Sequence, residues 1–318
     1  MRTLKLATLL GCAVAIAAGG AEAQATKKLP KVVIVATGGT IAGSAAAATD
    51  AGYKSGAVGV DILINAVPQL KELAEVTGEQ VASIGSQDMN DEVWVKLANK
   101  VNELLAKPDV AGVAITHGTD TMEETSYFLN LVVKSDKPVV LTGSMRPSTA
   151  MSADGPLNIY NAVAIAADPA ARGRGVLVAV DDDILSAHDI VKTHSTDVAT
   201  MRSGEAGLVG ASLFGKNTWY RMPVDVHTSK SEFSIQGVTA PLPRVDIIYA
   251  HANMSPDIIT SAVANGAKGL VIAGVGDGNM TAPALEAAKA AAAKGVVVVR
   301  ASRTNGGIIR QYNTKVTA

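Results

Sequence analysis

Two glycine turns in this sequence carry threonine side chains directly after apolar runs of strand length. The run at 110–116 is followed by Thr119 and Asp120, and the run at 31–36 leads to Thr40. The carboxyl ends of parallel strands face the ligand crevice of an open α/β sheet. Both turns are therefore predicted to contribute hydroxyl groups to one shared site.

A threonine hydroxyl is a weak nucleophile unless a neighbouring group takes its proton. Lys192, in a hydroxyl-rich loop, can do this when it is partly buried, and an aspartate can orient it. Spacing alone does not show that Lys192 reaches Thr119. A threonine in a strand-to-helix turn can instead be an N-cap or part of an ST-turn. The second turn, with Thr37 and Thr40, weighs against that simpler interpretation.

Composition narrows the classes of ligand. The 318 residues carry a formal charge of −1 and 3% aromatic residues, which gives neither the basic stripe nor the stacking platforms of a nucleic-acid binder. The turn at 38–43 lacks the glycine spacing of a phosphate cradle. The five histidines show no metal-ligand spacing. We predict a small neutral or zwitterionic ligand and no histidine metal site.

The elements that must position these residues alternate between strands and helices. Helical periodicity predicts helices near 90–106, 122–133 and 156–167, and Asn90 is placed to cap the first. Apolar runs predict strands at 31–36, 80–84, 110–116, 138–142 and 175–180. This pattern indicates α/β architecture with an open, mostly parallel, doubly wound sheet in an N-terminal domain of residues 30–210.

A smaller C-terminal α/β domain is predicted at 244–318, after a linker at 211–243 that is rich in proline and polar residues. Its strands are expected at 245–250, 269–273 and 296–299, with helices near 256–265 and 282–294. After Val299 the sequence is polar and no closing helix is evident. Because parallel sheets are normally covered on both faces, we expect an incomplete domain with an uncovered apolar sheet face.

Residues 1–23 have the form of a secretory signal peptide. Basic residues precede an apolar stretch, and Ala21-Glu22-Ala23 has the form of a signal-peptidase site. The only cysteine, Cys12, lies inside this segment. We expect cleavage after Ala23, no lipid anchor on Cys12, no disulfide and no membrane span in the mature chain, which points to the periplasm.

Five motifs together resemble those of exported bacterial type II L-asparaginases and glutaminase-asparaginases. The resemblance runs from about Leu29 to Arg303, and the motifs occur in the family's order and spacing. They are residues 36–43 (ATGGTIAG), 85–90 (GSQDMN), 116–124 (THGTDTMEE), 142–147 (TGSMRP) and 152–156 (SADGP).

The resemblance implies hydrolysis of L-asparagine to L-aspartate and ammonia through a threonine acyl-enzyme intermediate, with no metal or cofactor and with L-glutamine as a further substrate. By position, Thr40 matches the primary nucleophile, and Tyr53 matches the tyrosine of a mobile loop that helps to activate it. Thr119, Asp120 and Lys192 match a triad in which the lysine assists proton transfer and the aspartate also holds the substrate's α-ammonium group.

The resemblance also implies how the substrate is held. Ser86 and Gln87 match residues that grip its α-carboxylate and α-amino groups. Backbone N–H groups in the turns at Gly39 and Gly118 are expected to stabilise the oxyanion, each contributing typically about 3 kcal/mol.

In this family the site lies between subunits of a homotetramer. Asn279 matches an asparagine that a neighbouring chain contributes, but Thr314 stands where the family has a glutamate, and residues 301–318 contain no carboxylate. We expect the altered C-terminal end to impair assembly or the grip on the substrate.

Two rival functions share most of these features. A periplasmic amino-acid-binding protein would have the signal peptide, the two α/β domains and the crevice, but it would not need paired threonine turns with Lys192. An inactive family member is the other rival, because of the C-terminal end.

Overall fold

The computed structural model describes residues 28–50 and 52–310. The predicted signal peptide and Thr314 lie outside the described residues. The strands are β1 Lys31–Gly38, β2 Glu75–Ile84, β3 Val110–Thr116, β4 Val139–Thr142, β5 Val176–Val180, β6 Asp183–Ser186, β7 Ile190–Lys192, β8 Met201–Ser203, β9 Gly210–Leu213, β10 Lys216–Trp219, β11 Val245–Tyr249, β12 Gly269–Gly274 and β13 Val297–Ser302. The helices are α1 Val60–Asn65, α2 Leu70–Leu73, α3 Asp91–Ala106, α4 Met122–Val132, α5 Gly155–Ala167, α6 Asp257–Ala264 and α7 Ala282–Ala293.

An eight-stranded sheet forms the large domain, in the order β10-β9-β6-β5-β4-β3-β1-β2. Strands β1 to β5 pair in parallel, and the three strands at the other edge are antiparallel. This confirms the mostly parallel sheet that the sequence predicts. The central strands are buried on both faces because one apolar cluster includes α3 and α4 and the other includes α1, α2 and α5.

In helix α3 the local sequence determines both the first residue of the helix and its buried face. The Asn90 side chain accepts a hydrogen bond from the Val93 amide at 3.1 Å, which confirms the predicted N-cap. The apolar stripe of this helix, which includes Leu97 and Val101, is fully buried against the sheet. The helix therefore starts where a capping side chain is available and packs through the face that the periodicity predicts.

The start of the predicted linker requires a correction. Residues 211–219 belong to β9 and β10, a hairpin that extends the large sheet. Gly215 adopts φ +76° at its tip, next to Phe214 at φ +47°. β10 is polar and half-exposed and β9 reads Gly-Ala-Ser-Leu, so neither contains an apolar run, and only the pairing of β9 with β6 identifies them as part of the sheet.

The small domain contains a three-stranded parallel sheet, β11-β12-β13, with α6 and α7 packed on one face. The other face is apolar, and no described element covers it. Ile247, Val271 and Val299 lie side by side across the three strands, and Ile247 is 73% exposed. Val245, Tyr249 and Val297 are also exposed. Among the described residues, none of the helices has the length and apolar character needed to cross a membrane.

Candidate active site

Backbone geometry after β1 places Thr40 at the carboxyl end of this strand. Gly38 has φ +112°, and Gly39 has φ +82° with ψ −177°, a region that only glycine adopts without strain. A 3₁₀ turn begins at Thr40, whose side chain is buried. Its hydroxyl lies 2.6 Å from the Tyr53 hydroxyl, close enough for a proton to pass between them.

Tyr53 comes from a loop that folds back over this turn. The backbones of Ser44 and Lys54 form an isolated antiparallel bridge at the base of the loop. The Tyr53 ring packs against Gly43, where an added Cβ would lie 2.8 Å from the ring. Tyr53 nevertheless stays 41% exposed, so the loop forms an outer wall of the site.

The second threonine turn follows β3 and leads directly into α4. Its 3₁₀ turn, Thr119–Thr121, presents Thr119 buried and Asp120 exposed to solvent. Lys192 donates from Nζ to Thr119 Oγ1 at 2.9 Å and to Asp120 Oδ1 at 2.5 Å. The lysine side chain is only 16% exposed, so its ammonium group is held by these two partners in a partly desolvated position.

Close backbone contact joins the two turns. A Cβ added to Gly39 would lie 2.3 Å from the Gly118 nitrogen, and one added to Gly118 would lie 2.5 Å from Ser86 Oγ. The Thr121 hydroxyl donates to the Ser86 carbonyl at 2.8 Å. The three turns come from β1, β3 and β2, which are adjacent in the sheet, so the structure brings Thr40, Thr119 and Ser86 together.

Two of the sequence-predicted residues make no hydrogen bond to Thr40 or Thr119 among the described residues. Gln87 is exposed at the rim, where its side-chain amide donates to Asp88 at 3.2 Å. Asn279 lies in the small domain, in a tight turn after β12 whose backbone pairs with Val275. In the described part of the chain, no hydrogen bond links Asn279 to the threonine turns.

Sequence reasoning missed two residues that contact the threonine and lysine side of the site, Met145 and Glu123. Thr119 Oγ1 donates to the Met145 sulfur at 3.3 Å, and the Asp154 carboxylate fixes the Met145 amide at 2.8 Å. Glu123, in the first turn of α4, accepts a hydrogen bond from the Lys192 backbone amide at 2.8 Å. No local sequence pattern marks Met145 or Glu123 for these contacts, because the residues that they contact are distant along the chain.

Thr37 and His117 form hydrogen bonds to the backbone next to the two threonine turns. The Thr37 hydroxyl donates a hydrogen bond to the Thr116 carbonyl at 2.9 Å. This bond links β1 to β3, so we assign the Thr37 hydroxyl a structural role. His117 is fully buried, and burial lowers its pKa to about 4. The ring is therefore neutral, and its Nδ1–H donates to the Gly118 carbonyl at 2.7 Å. Its Nε2 has no partner among the described residues.

A separate group of ionisable side chains lies at His188, Asp189 and Asp225. Sequence spacing did not predict this group, because Asp225 is distant along the chain. His188 Nδ1 lies 3.0 Å from Asp189, and Arg221 donates to the other oxygen of that carboxylate at 2.8 Å. The Asp189 charge is thus already paired with a guanidinium.

Comparisons with known proteins give the same family for both domains. The family described as "Asparaginase, N-terminal" matches residues 31–225, and the family described as "Glutaminase/Asparaginase C-terminal domain" matches residues 244–317. L-asparaginase 2 of Escherichia coli is 52% identical over 283 residues, which cover 89% of this chain and 80% of that protein. Glutaminase-asparaginase of Pseudomonas fluorescens is 45% identical over 293 residues, which cover 92% and 80% of the two chains.

A solved structure, described as a probable cytoplasmic L-asparaginase from Campylobacter jejuni, superposes with a TM-score of 0.87 at 45% identity. The superposition covers 90% of this chain and 88% of that one. Fold and sequence similarity thus extend over both domains.

Proposed function

This chain belongs to the asparaginase family, and we propose that it hydrolyses L-asparagine to L-aspartate and ammonia through an acyl-enzyme intermediate on Thr40. One observation carries the proposal. Two buried threonine hydroxyls lie on touching turns, and each has its own partner for proton transfer, Tyr53 for Thr40 and Lys192 for Thr119. A solute-binding protein needs hydrogen-bond donors but no activated hydroxyl.

Acylation begins at Thr40. Its Oγ attacks the side-chain amide carbon of the substrate while the Tyr53 oxygen accepts the hydroxyl proton over the 2.6 Å contact. The Tyr53 proton passes on towards the amide nitrogen, the C–N bond breaks, and ammonia leaves. Water then attacks the ester on Thr40, the C–O bond to Thr40 breaks, and L-aspartate is released with the threonine restored.

The second cluster orients the substrate and moves protons. The Lys192 ammonium group polarises the Thr119 hydroxyl, which can relay a proton at the leaving nitrogen or the attacking water. The Asp120 carboxylate, whose side chain is 60% exposed, binds the substrate's α-ammonium group. Ser86 and Gln87 hold the α-carboxylate and α-amino groups at the adjacent rim.

Backbone N–H groups complete the site. The first N–H groups of a helical turn have no intrahelical partner. Those of Thr40 and Thr119 follow Gly39 and Gly118, where the two turns touch, so they are suited to stabilise the tetrahedral oxyanion.

Specificity, location and assembly belong to the same proposal. Relatives named glutaminase-asparaginase support L-glutamine as a second substrate. Residues 1–23 act as a signal peptide for export to the periplasm, supported by a relative from Haemophilus influenzae named probable periplasmic L-asparaginase. The family's homotetramer, in which Asn279 of one copy would reach the substrate of another, is the expected assembly, and the altered C-terminal end, with Thr314 in place of a glutamate, is expected to impair this assembly or the grip on the substrate.

Ammonia release from L-asparagine by the purified chain lacking residues 1–23 tests the proposal. We expect turnover in the wild type, and its near-complete loss in Thr40→Ala and Thr119→Val. Thr142→Val is the matched control, because it removes a buried hydroxyl that donates to the Ala179 carbonyl at the end of the neighbouring strand. Calorimetric binding of asparagine without turnover would overturn hydrolysis and favour a binding protein.

A further inference from the structure

Glu123 is a residue to which the resemblance assigns no role, and we infer that it positions Lys192. Its Oε2 accepts a hydrogen bond from the backbone N–H of Lys192 at 2.8 Å, across 69 residues of sequence. The inference rests on the proposed function, because it concerns the lysine that acts on Thr119.

The strand that carries Lys192 has a free edge. β7 has three residues, and among the described strands it pairs only with β8, in a ribbon separate from the eight-stranded sheet. The ribbon packs on the core through Ile190 and Met201, but its outer edge leaves backbone amide groups without a strand partner. The Glu123 carboxylate accepts a hydrogen bond from one of these amide groups, the backbone N–H of Lys192.

Glu123 is well placed to be an anchor for this edge because it is rigidly connected to the site. It lies in the first turn of α4, which follows the Thr119–Thr121 turn without a break. A carboxylate is stabilised at a helix N-terminus, and its hydrogen bond to an amide is roughly twice as strong as one from a neutral acceptor. One element therefore carries the Thr119 hydroxyl and also the group that holds the Lys192 backbone.

The geometry of the lysine makes this anchor matter for catalysis. Its Nζ bridges Thr119 Oγ1 and Asp120 Oδ1, which both belong to the turn before Glu123. A lysine side chain is a flexible four-carbon stem. With the backbone fixed by Glu123 at one end and the ammonium group bound at the other, the side chain is held at both ends. Glu123 thus acts through Lys192 and does not touch the substrate.

Glu123→Ala and Glu123→Gln test this role, with Glu124→Ala as the matched control. Glu124 is the exposed neighbour in the same helical turn. Because a misplacement of about 1 Å can reduce catalysis about 100-fold, we expect kcat to fall by roughly that factor in Glu123→Ala. KM should change by no more than about threefold, since a transition-state contact and not substrate binding is lost. Glu123→Gln retains an oxygen acceptor and should recover most of kcat, and Glu124→Ala should match the wild type.

Amide hydrogen exchange of a peptide that includes Lys192 gives a readout independent of turnover. Exchange should be faster in Glu123→Ala than in Glu123→Gln, the Glu124→Ala control or the wild type. If the wild type releases no ammonia, the proposed function fails while this exchange difference still tests the anchor. Unchanged exchange in Glu123→Ala, or kcat reduced equally in the alanine and glutamine variants, would overturn the inference. So would a loss of activity that only follows the fraction of folded protein.

Discussion

The contact between the two threonine turns can be tested at Gly39. In Gly39→Ala the new Cβ would lie 2.3 Å from the Gly118 nitrogen, whereas ordinary contact starts at 3.4 Å. The Gly118 nitrogen is a backbone atom that cannot swing aside, so the turns must move apart by about 1 Å, the difference between 3.4 and 2.3 Å. A shift of this size costs about 100-fold in rate, which corresponds to about 2.7 kcal/mol of barrier.

The same substitution also strains the backbone. Gly39 has φ +82° and ψ −177°, and this conformation costs a residue with a side chain about 1–3 kcal/mol. Gly173→Ala is the matched control, because Gly173 has φ +71° but nothing within 4 Å of an added Cβ. It should lose stability and retain kcat.

Steady-state ammonia release and urea unfolding, measured on both variants, separate the two effects. We expect both to unfold at lower urea concentration and only Gly39→Ala to lose about 100-fold in kcat. A folded Gly39→Ala protein with kcat within about threefold of the wild type would refute the reasoning that the turns must touch.

The remaining predictions concern the loop, the core and the small sheet. Tyr53→Phe removes the hydroxyl that lies 2.6 Å from the Thr40 hydroxyl, so kcat for ammonia release should fall about 100-fold, and an unchanged kcat would exclude this proton route. His117 has a pKa of about 4 when folded and about 6.5 when unfolded, so only the unfolded state takes up its proton as pH falls from 6.5 to 4. Its contribution, about 3 kcal/mol, is complete above pH 6.5 and disappears over that window. In urea unfolding, the wild type should lose about that much more stability between pH 7 and pH 4 than His117→Asn. Parallel pH dependences would contradict the buried neutral ring. Changing the exposed pair Ile247 and Val299 to threonine should reduce binding of a hydrophobic dye and change stability by no more than about 0.5 kcal/mol. Leu270→Ala on the covered face should cost about 2–5 kcal/mol. Equal destabilisation by both changes would show that the outer face is covered.

Local patterns in the sequence predicted much of the fold. Buried parallel strands are continuous apolar runs and amphipathic helices have a 3.6-residue period, so β3, α3 and the Asn90 cap follow from neighbouring residues. The sequence places the hairpin of β9 and β10 in the linker because these two short strands have no such run. Its place depends on pairing with β6, which no local pattern contains.

The sequence by itself determined which groups could do chemistry, through glycine turns that present Thr40 and Thr119 at the ends of apolar strands. Only the tertiary structure decided their partners. The contact of Lys192 with Thr119 spans 73 residues, and that of its backbone with Glu123 spans 69. A hydrogen bond requires two atoms about 3 Å apart in space, and the spacing of residues along the sequence does not show which atoms meet. The sheet order that makes β1, β2 and β3 neighbours is therefore what turns candidate residues into one site.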